Sequence, residues 1–253
     1  MDFSIKLKEK TGKAYLSYSS IKEALGDLRE WEMYMLRLKK KDSPALSFGS
    51  LYDCLLFEPE KVEDRFIVMN ESKILEDIGG KSPRATKQYK EWKSQFELDN
   101  GSKTIVTEED HHTALNMISR LDDCGLLQSR MKGKYQVEFY EFLEDIPVRG
   151  FLDVLGDGYI VDSKSSRSVK GFRKDVYSYC YDIQAYIYTT VFDIKEFYWV
   201  VQEKTYPYFP AEFKASEETI QRGQKKFWTA VDRINEYLNA DVPTTKYYLQ
   251  DII

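Results

Sequence analysis

The chain has 253 residues, with 37 Lys and Arg against 42 Asp and Glu, a formal net charge of −5, 42% hydrophobic residues, 13 Gly and 7 Pro. This composition fits a compact globular chain and excludes a disordered, collagenous or disulfide-stapled one. The balance is mildly acidic, so a polyanion-binding surface needs its basic residues gathered locally.

The opening stretch MDFSIKLKEKTGKAY has no apolar signal core, and no later stretch approaches the ~20 apolar residues of a membrane span. Ser19 or Ser20 is a candidate cap for a helix through residues 21–40, where Ile21, Leu25, Leu28 and Trp31 recur at helical spacing. Pro44 falls in the break that follows. A second helix is expected over Phe48 to Phe57, ending at Glu58-Pro59. Residues 72–100 read as a polar helical or irregular region rich in Lys and containing Arg84. Thr107 to Leu127 is expected to be helical, opened by Thr107 and Asp110 in the manner of a capping box. His111 and His112 fall within it as surface residues, and no other histidine exists to support imidazole metal sites or Ser-His-Asp chemistry.

From Tyr135 the hydrophobic period changes to two. Gln136–Leu143, Val148–Leu155 and Tyr159–Ser163 read as strands, the last two joined by a hairpin loop at Asp157-Gly158, where both positions are expected at positive φ. Counting outward pairs Leu155 with Ile160, Val154 with Val161 and Asp153 with Asp162. Directly opposed residues have β-carbons roughly 5 Å apart, so two carboxylates meet and repel unless a cation or proton is shared. Alternation puts Lys164 and Phe151 on the same face. A lone Asp-x-Lys triplet is more often a surface salt bridge; the facing aspartate is what favours the other reading. Hard oxygen donors on a sheet face suit Mg²⁺ or Mn²⁺, with Lys164 orienting a water or stabilising a developing anion, which is phosphodiester-cleaving chemistry.

Beyond the sheet, KSSRSVKGFRK carries Lys164, Arg167, Lys170, Arg173 and Lys174 without an acid, a concentration able to grip a phosphate backbone. The stretch DVYSYCYDIQAYIYTTVF then has helical spacing, with Tyr177, Tyr181, Gln184 and Tyr188 on one stripe that lines a cleft or packs as amphipathic core. Cys54, Cys124 and Cys180 are scattered and odd in number; they form neither a disulfide framework nor a CxxC metal spacing, and a reducing interior suits them.

The segments Gly150-Phe151-Leu152-Asp153, Val161-Asp162-Ser163-Lys164 and Gln184-Ala185-Tyr186-Ile187-Tyr188 resemble the motifs of the PD-(D/E)XK nucleases, in the order found in phage and prophage RecE-type exonucleases, relatives of the lambda exonuclease. The similarity extends through LSYSSIKEAL, SFGSLYDCLLFEPE, SPRATKQYKEW and VVQEKTYPY, roughly Leu16 to Leu238.

The resemblance implies an α/β (mixed α+β) restriction-endonuclease-like core, a central mixed sheet flanked by helices. One domain over 1–253 is expected, helical at about 15–130 and catalytic at about 135–240. It implies an Mg²⁺-dependent DNA exonuclease acting on linear duplex ends for phage-type recombination or replication, with Mn²⁺ as a substitute. Asp153 and Asp162 would bind metal, joined by the Ser163 carbonyl; Lys164 would be the catalytic lysine; Gln184 and Tyr188 would position DNA or water. Where the resembling pattern often has His, this chain has Asp53, a candidate oxygen ligand, and Glu138 is a further candidate. Arg84 and Ser19 are candidate phosphate contacts. Single-stranded product, a single-strand annealing protein and a trimeric or tetrameric assembly are the implied partners, in the cytoplasm of a bacterium or phage-infected host, with no membrane. The competing readings are a DNA-binding recombination accessory of weak or no activity, and a structure-specific endonuclease on the same fold.

Overall fold

In the computed structural model, residues 2–38 and 43–240 are described. Short polar residues set most helix starts: Asp2, Ser17, Asp27, Ser43, Thr86, Thr107 and Ser216 each accept a backbone N–H of the helix that follows. The helices in chain order are α1 (Phe3–Thr11), α2 (Tyr18–Leu25), α3 (Leu28–Met35), α4 (Pro44–Phe57), α5 (Val62–Arg65), α6 (Ser72–Ile78), α7 (Lys87–Asp99), α8 (Glu108–Asp123), α9 (Phe172–Ser178), α10 (Tyr181–Val191) and α11 (Glu217–Asn239). The strands are β1 (Phe66–Met69), β2 (Thr104–Thr107), β3 (Lys134–Leu143), β4 (Ile146–Leu155), β5 (Tyr159–Ser166), β6 (Glu196–Glu203) and β7 (Pro210–Lys214).

The single helix expected over 21–40 is two. Gly26 ends α2 and the Asp27 carboxylate caps α3 through the Arg29 N–H at 2.8 Å; residues 39–42 lie outside the described residues. The cap of α2 is Ser17 rather than Ser19 or Ser20, because Ser20 at the third helical position completes a reciprocal capping box by accepting the Ser17 N–H at 2.8 Å. Pro44 opens α4 instead of breaking the chain, since the first helical position needs no N–H. The polar region 72–100 holds α6 and α7, and α8 starts at Thr107 as the capping pattern predicts.

The expected mixed sheet flanked by helices is the one formed, in the order β3-β4-β5-β6-β7, with β5 and β6 parallel and the other neighbours antiparallel. β1 and β2 form a separate parallel pair. One sheet face packs under α1–α3, α10 and α11 through Trp31, Leu152, Ile160, Ile183, Phe197 and Phe227; the other meets α4 and α8 through Leu51, Tyr52, Met117, Val154, Val161 and Val200.

Leu155 pairs with Ile160 and Val154 with Val161, the register counted from the sequence. The loop differs in detail: only Gly158 has positive φ, 78°, and Asp157 does not. Strict alternation also fails at Asp153, where Leu152 belongs to one core and Val154 to the other. Phe151, 42% exposed with Arg149 beside its ring, therefore lies away from the Lys164 face it was expected to share.

At the far side α11 presses directly on the first turn of α10. A β-carbon at Gly223 would lie 2.0 Å from the Asp182 carbonyl oxygen, and the fully buried Asp182 carboxylate meets Arg222 Nε at 2.6 Å and Lys226 Nζ at 2.9 Å.

Candidate active site

Beyond the paired Val154 and Val161, Asp153 links the two strands with its side chain. Its Oδ2 accepts the Ser163 N–H at 2.7 Å and its Oδ1 accepts Gln136 Nε2 at 3.2 Å. Gln136 has φ 48°, and the β3–β4 ladder passes over Gln136 and Asp153 between its paired neighbours. The carboxylate thus stands in for a missing backbone rung.

Asp162, 2% exposed on β5, forms an ion pair between Oδ2 and Lys164 Nζ at 2.5 Å, and its Oδ1 accepts Gln184 Nε2 at 2.6 Å. Gln184 lies 3.3 Å from the Tyr188 hydroxyl through the same Nε2, and its Oε1 is buried without a hydrogen-bond partner. The Lys164 ammonium also sits 5.2 Å from the centre of the Tyr181 ring.

Asp53 on α4 joins this group electrostatically. Burial, then the Asp153 charge, hold its pKa well above the usual carboxylate range against the pull of Lys164. Burial and the Asp162 charge push Asp153 up to about 6, and burial likewise raises Asp162 despite Lys164. Burial opposes the charge on Lys164, but Asp162 and Asp153 outweigh it and keep the ammonium protonated. Burial and the nearby Asp162 raise the Tyr188 phenol, which stays neutral.

Three mutually repelling carboxylates share one lysine. Among the described residues no group of three or more His, Cys, Asp or Glu closes tightly enough to hold a metal ion by itself. Mg²⁺ does not require such a cage: it is commonly held by one or two carboxylates, waters and substrate phosphate oxygens. The all-oxygen donor set, its uncompensated charge and the partnerless Gln184 Oε1 fit a hard divalent ion in that manner.

The other expected residues are distributed as follows. Glu138 on β3 faces Arg149 at 3.6 Å and accepts the Tyr140 hydroxyl at 2.6 Å. Ser19 is half-buried in the first turn of α2. Arg84 is exposed and paired with Glu71 at 2.7 Å. Arg167 and Lys170 are exposed between β5 and α9, and Arg173 and Lys174 are exposed in the first turn of α9. Tyr177 leaves the stripe of Tyr181, Gln184 and Tyr188, because Cys180 at φ 58° separates α9 from α10 and turns Tyr177 toward Arg222, whose guanidinium lies 3.9 Å from its ring centre.

One basic group escaped the sequence. Lys13, Arg37 and Arg149 line a cavity of about 760 Å³ together with Tyr15, Ser17 and Phe151. Burial and the charges of Arg37 and Arg149 lower the Lys13 pKa, as expected of cations held together. The cavity adjoins the site at Gly150, where a β-carbon would fall 2.9 Å from the Tyr188 ring. No local run announces these residues, since they come from three distant parts of the chain.

Residues 22–246 match the model of a PDDEXK-like domain of unknown function (DUF3799). A search of curated proteins returns no significant match. Among solved structures, the chain is similar to one described as "Putative exonuclease" from Eubacterium rectale, with a TM-score of 0.64 at 17% identity, covering 99% of this chain and 93% of that one. It also matches a phage-related exonuclease from Haemophilus somnus 129PT, with a TM-score of 0.34 at 12% identity, covering 68% of this chain and 95% of that one. No helix among the described residues is long and apolar enough to cross a membrane. The fold is like that first structure's, and a family match over most of the chain makes this protein a member of the PDDEXK-like domain family DUF3799.

Proposed function

We propose that the protein is an Mg²⁺-dependent exonuclease that hydrolyses phosphodiester bonds from the ends of linear duplex DNA, with Mn²⁺ as a working substitute, in phage-type recombination or replication. The observation that carries this reading is the ion pair of the buried Asp162 with Lys164 at 2.5 Å on β5, with the Asp153 carboxylate of β4 accepting the Ser163 N–H between the two at 2.7 Å.

In this reading Asp153 and Asp162, with the Ser163 carbonyl and Asp53, hold the divalent ion. The chemistry such an ion supplies when bound is a water of lowered pKa and relief of charge on the scissile phosphate. Lys164, kept protonated by its two aspartates, orients the attacking water and stabilises negative charge developing on phosphate oxygen. Gln184 holds Asp162 in its rotamer and, with the neutral Tyr188 hydroxyl, positions water or DNA. Lys13, Arg37 and Arg149 in the cavity and the exposed Arg167, Lys170, Arg173 and Lys174 supply the local positive charge that a chain of net charge −5 needs to hold a polyanion.

The test is digestion of end-labelled linear duplex beside a covalently closed circle of the same sequence, with Mg²⁺. Loss of the linear substrate with the circle spared is the expected result. Cleavage of the circle makes the protein an endonuclease, and salt-dependent binding without cleavage under Mg²⁺ or Mn²⁺ makes it a DNA-binding accessory.

A further inference from the structure

The turn between β6 and β7 carries three aromatic rings that the proposed reaction does not use. Tyr206 is 87% exposed and Phe209 52% exposed, and Tyr208 lies edge-on to Tyr206 with ring centres 6.2 Å apart. Large rings standing this far into water gain little from burial within the chain and invite an external partner.

The turn is firmly held. Gln202, fully buried on β6, donates Nε2 to the Tyr208 carbonyl at 3.1 Å and to the Met117 carbonyl at 2.6 Å, while its Oε1 accepts the Tyr52 hydroxyl at 2.8 Å. The Tyr208 N–H closes on the Thr205 carbonyl at 2.7 Å, and the Glu203 N–H on the Phe209 carbonyl at 3.0 Å. Two of these attachments lead to the candidate site. Tyr52 immediately precedes Asp53 on α4, and the Lys204 N–H donates to the Ser166 carbonyl at 3.1 Å, two residues past Lys164. Because β6 runs parallel to β5 with Val201 beside Lys164, the turn leaves the sheet at the site's own end, three residues or about 10 Å further along.

Charge identifies the occupant. Lys204 sits over the Phe48 ring at 4.2 Å, where the Asp110 carboxylate favours its charge and the Arg167 guanidinium opposes it, so two cations and one acid stand at the foot of the rings. Exposed rings beside cations match single-stranded nucleic acid, whose bases stack while its phosphates pair.

We infer that Tyr206 and Phe209 form a stacking platform for unpaired DNA bases beside the candidate site, set in place by Gln202. This rests on the DNA reading of that site. A strand end melted from its duplex would lay bases on these rings while its backbone passes Lys204 and Arg167.

The experiment is binding of the full chain, without divalent ion so that nothing is cleaved, to a duplex bearing a short overhang that contains 2-aminopurine. The parent and Tyr206→Phe are expected to quench the probe. Tyr206→Ala and Phe209→Ala should lose the quenching and bind the overhang substrate roughly tenfold more weakly, within the range for one lost stacked base, with blunt duplex binding little changed. Both rings are largely exposed, so unchanged thermal melting is expected and serves as the folding control. If the parent binds DNA and the alanine variants quench and bind as it does, the platform is overturned while the nuclease reading stands. If the parent binds neither DNA, both fall.

Discussion

The Asp153 carboxylate accepts the backbone N–H of Ser163 at 2.7 Å, so a side chain on β4 fixes the residue that sits between Asp162 and Lys164 on β5. Structural and chemical tasks therefore coincide in one group. Asp162→Asn and Lys164→Ala should separate them, since neither removes that bond. Both should lower the rate on linear duplex at least 100-fold, about 2.7 kcal/mol of transition-state stabilisation, with circular dichroism close to the parent and a lower melting temperature only for Lys164→Ala, which strips the buried Asp162 of its cation. Digestion by either variant at the parental rate would remove the site.

Asp153 gives a pH signature. Its folded pKa of about 6 exceeds the usual 3.8, so its contribution to the stability of the metal-free protein is full below the lower value and is lost as pH rises through the higher. Asp153→Asn keeps an acceptor for Ser163 and removes the charge. It should raise the melting temperature at pH 8 by roughly 2–4 °C and leave it unchanged at pH 4. Added Mg²⁺ should stabilise the parent and leave the variant where it is.

Asp53 can be tested against histidine, which the resembling pattern often carries there. Asp53→Asn should weaken Mn²⁺ binding, followed by electron paramagnetic resonance, by at least ~10-fold, or 1.4 kcal/mol. Asp53→His should recover part of the loss, because imidazole also ligates Mn²⁺. Equal affinity in all three proteins would place Asp53 outside the ligand set.

Gln184→Leu removes the donor to Asp162 Oδ1 while preserving bulk in α10. A charged acceptor left without its partner costs about 1–3 kcal/mol, so a tenfold or larger fall in kcat is expected. Tyr188→Phe should cost less, as its hydroxyl makes only a 3.3 Å contact within the protein. Single-turnover rates at saturating DNA distinguish these effects from weakened binding.

The cationic cavity predicts a salt effect. Arg149→Ala should weaken DNA binding alike across sequences and reduce the slope of log affinity against log salt by about one unit. An unchanged slope would mean that the guanidinium serves only its neighbours Glu138 and Tyr140.

Legibility followed locality. The β4–β5 register could be counted because alternation on both sides of Asp157-Gly158 leaves few alternatives, and the backbone pairs as counted through Val154 and Val161. The departure at Asp153 could not, because it depends on packing: Leu152 and Val154 enter different cores. The break before α10 rests on a left-handed Cys180, a residue with no such preference, so the spacing of Tyr177 read as continuous. Lys13, Arg37 and Arg149 meet only after α1–α3 fold onto β4, and the role of Gln202 in holding Tyr52 and Tyr208 appears only in three dimensions.

The bare contact at Gly223 turns a helix spacing into a gauge for chemistry performed elsewhere. Even one methyl group there must push the start of α10 away from α11, and Gln184, half a turn onward, travels with it. An enzyme altered in this way would keep every acidic and basic group it had and still misaim the amide that steadies Asp162. Selection against volume at residue 223 would then act through turnover as much as through folding.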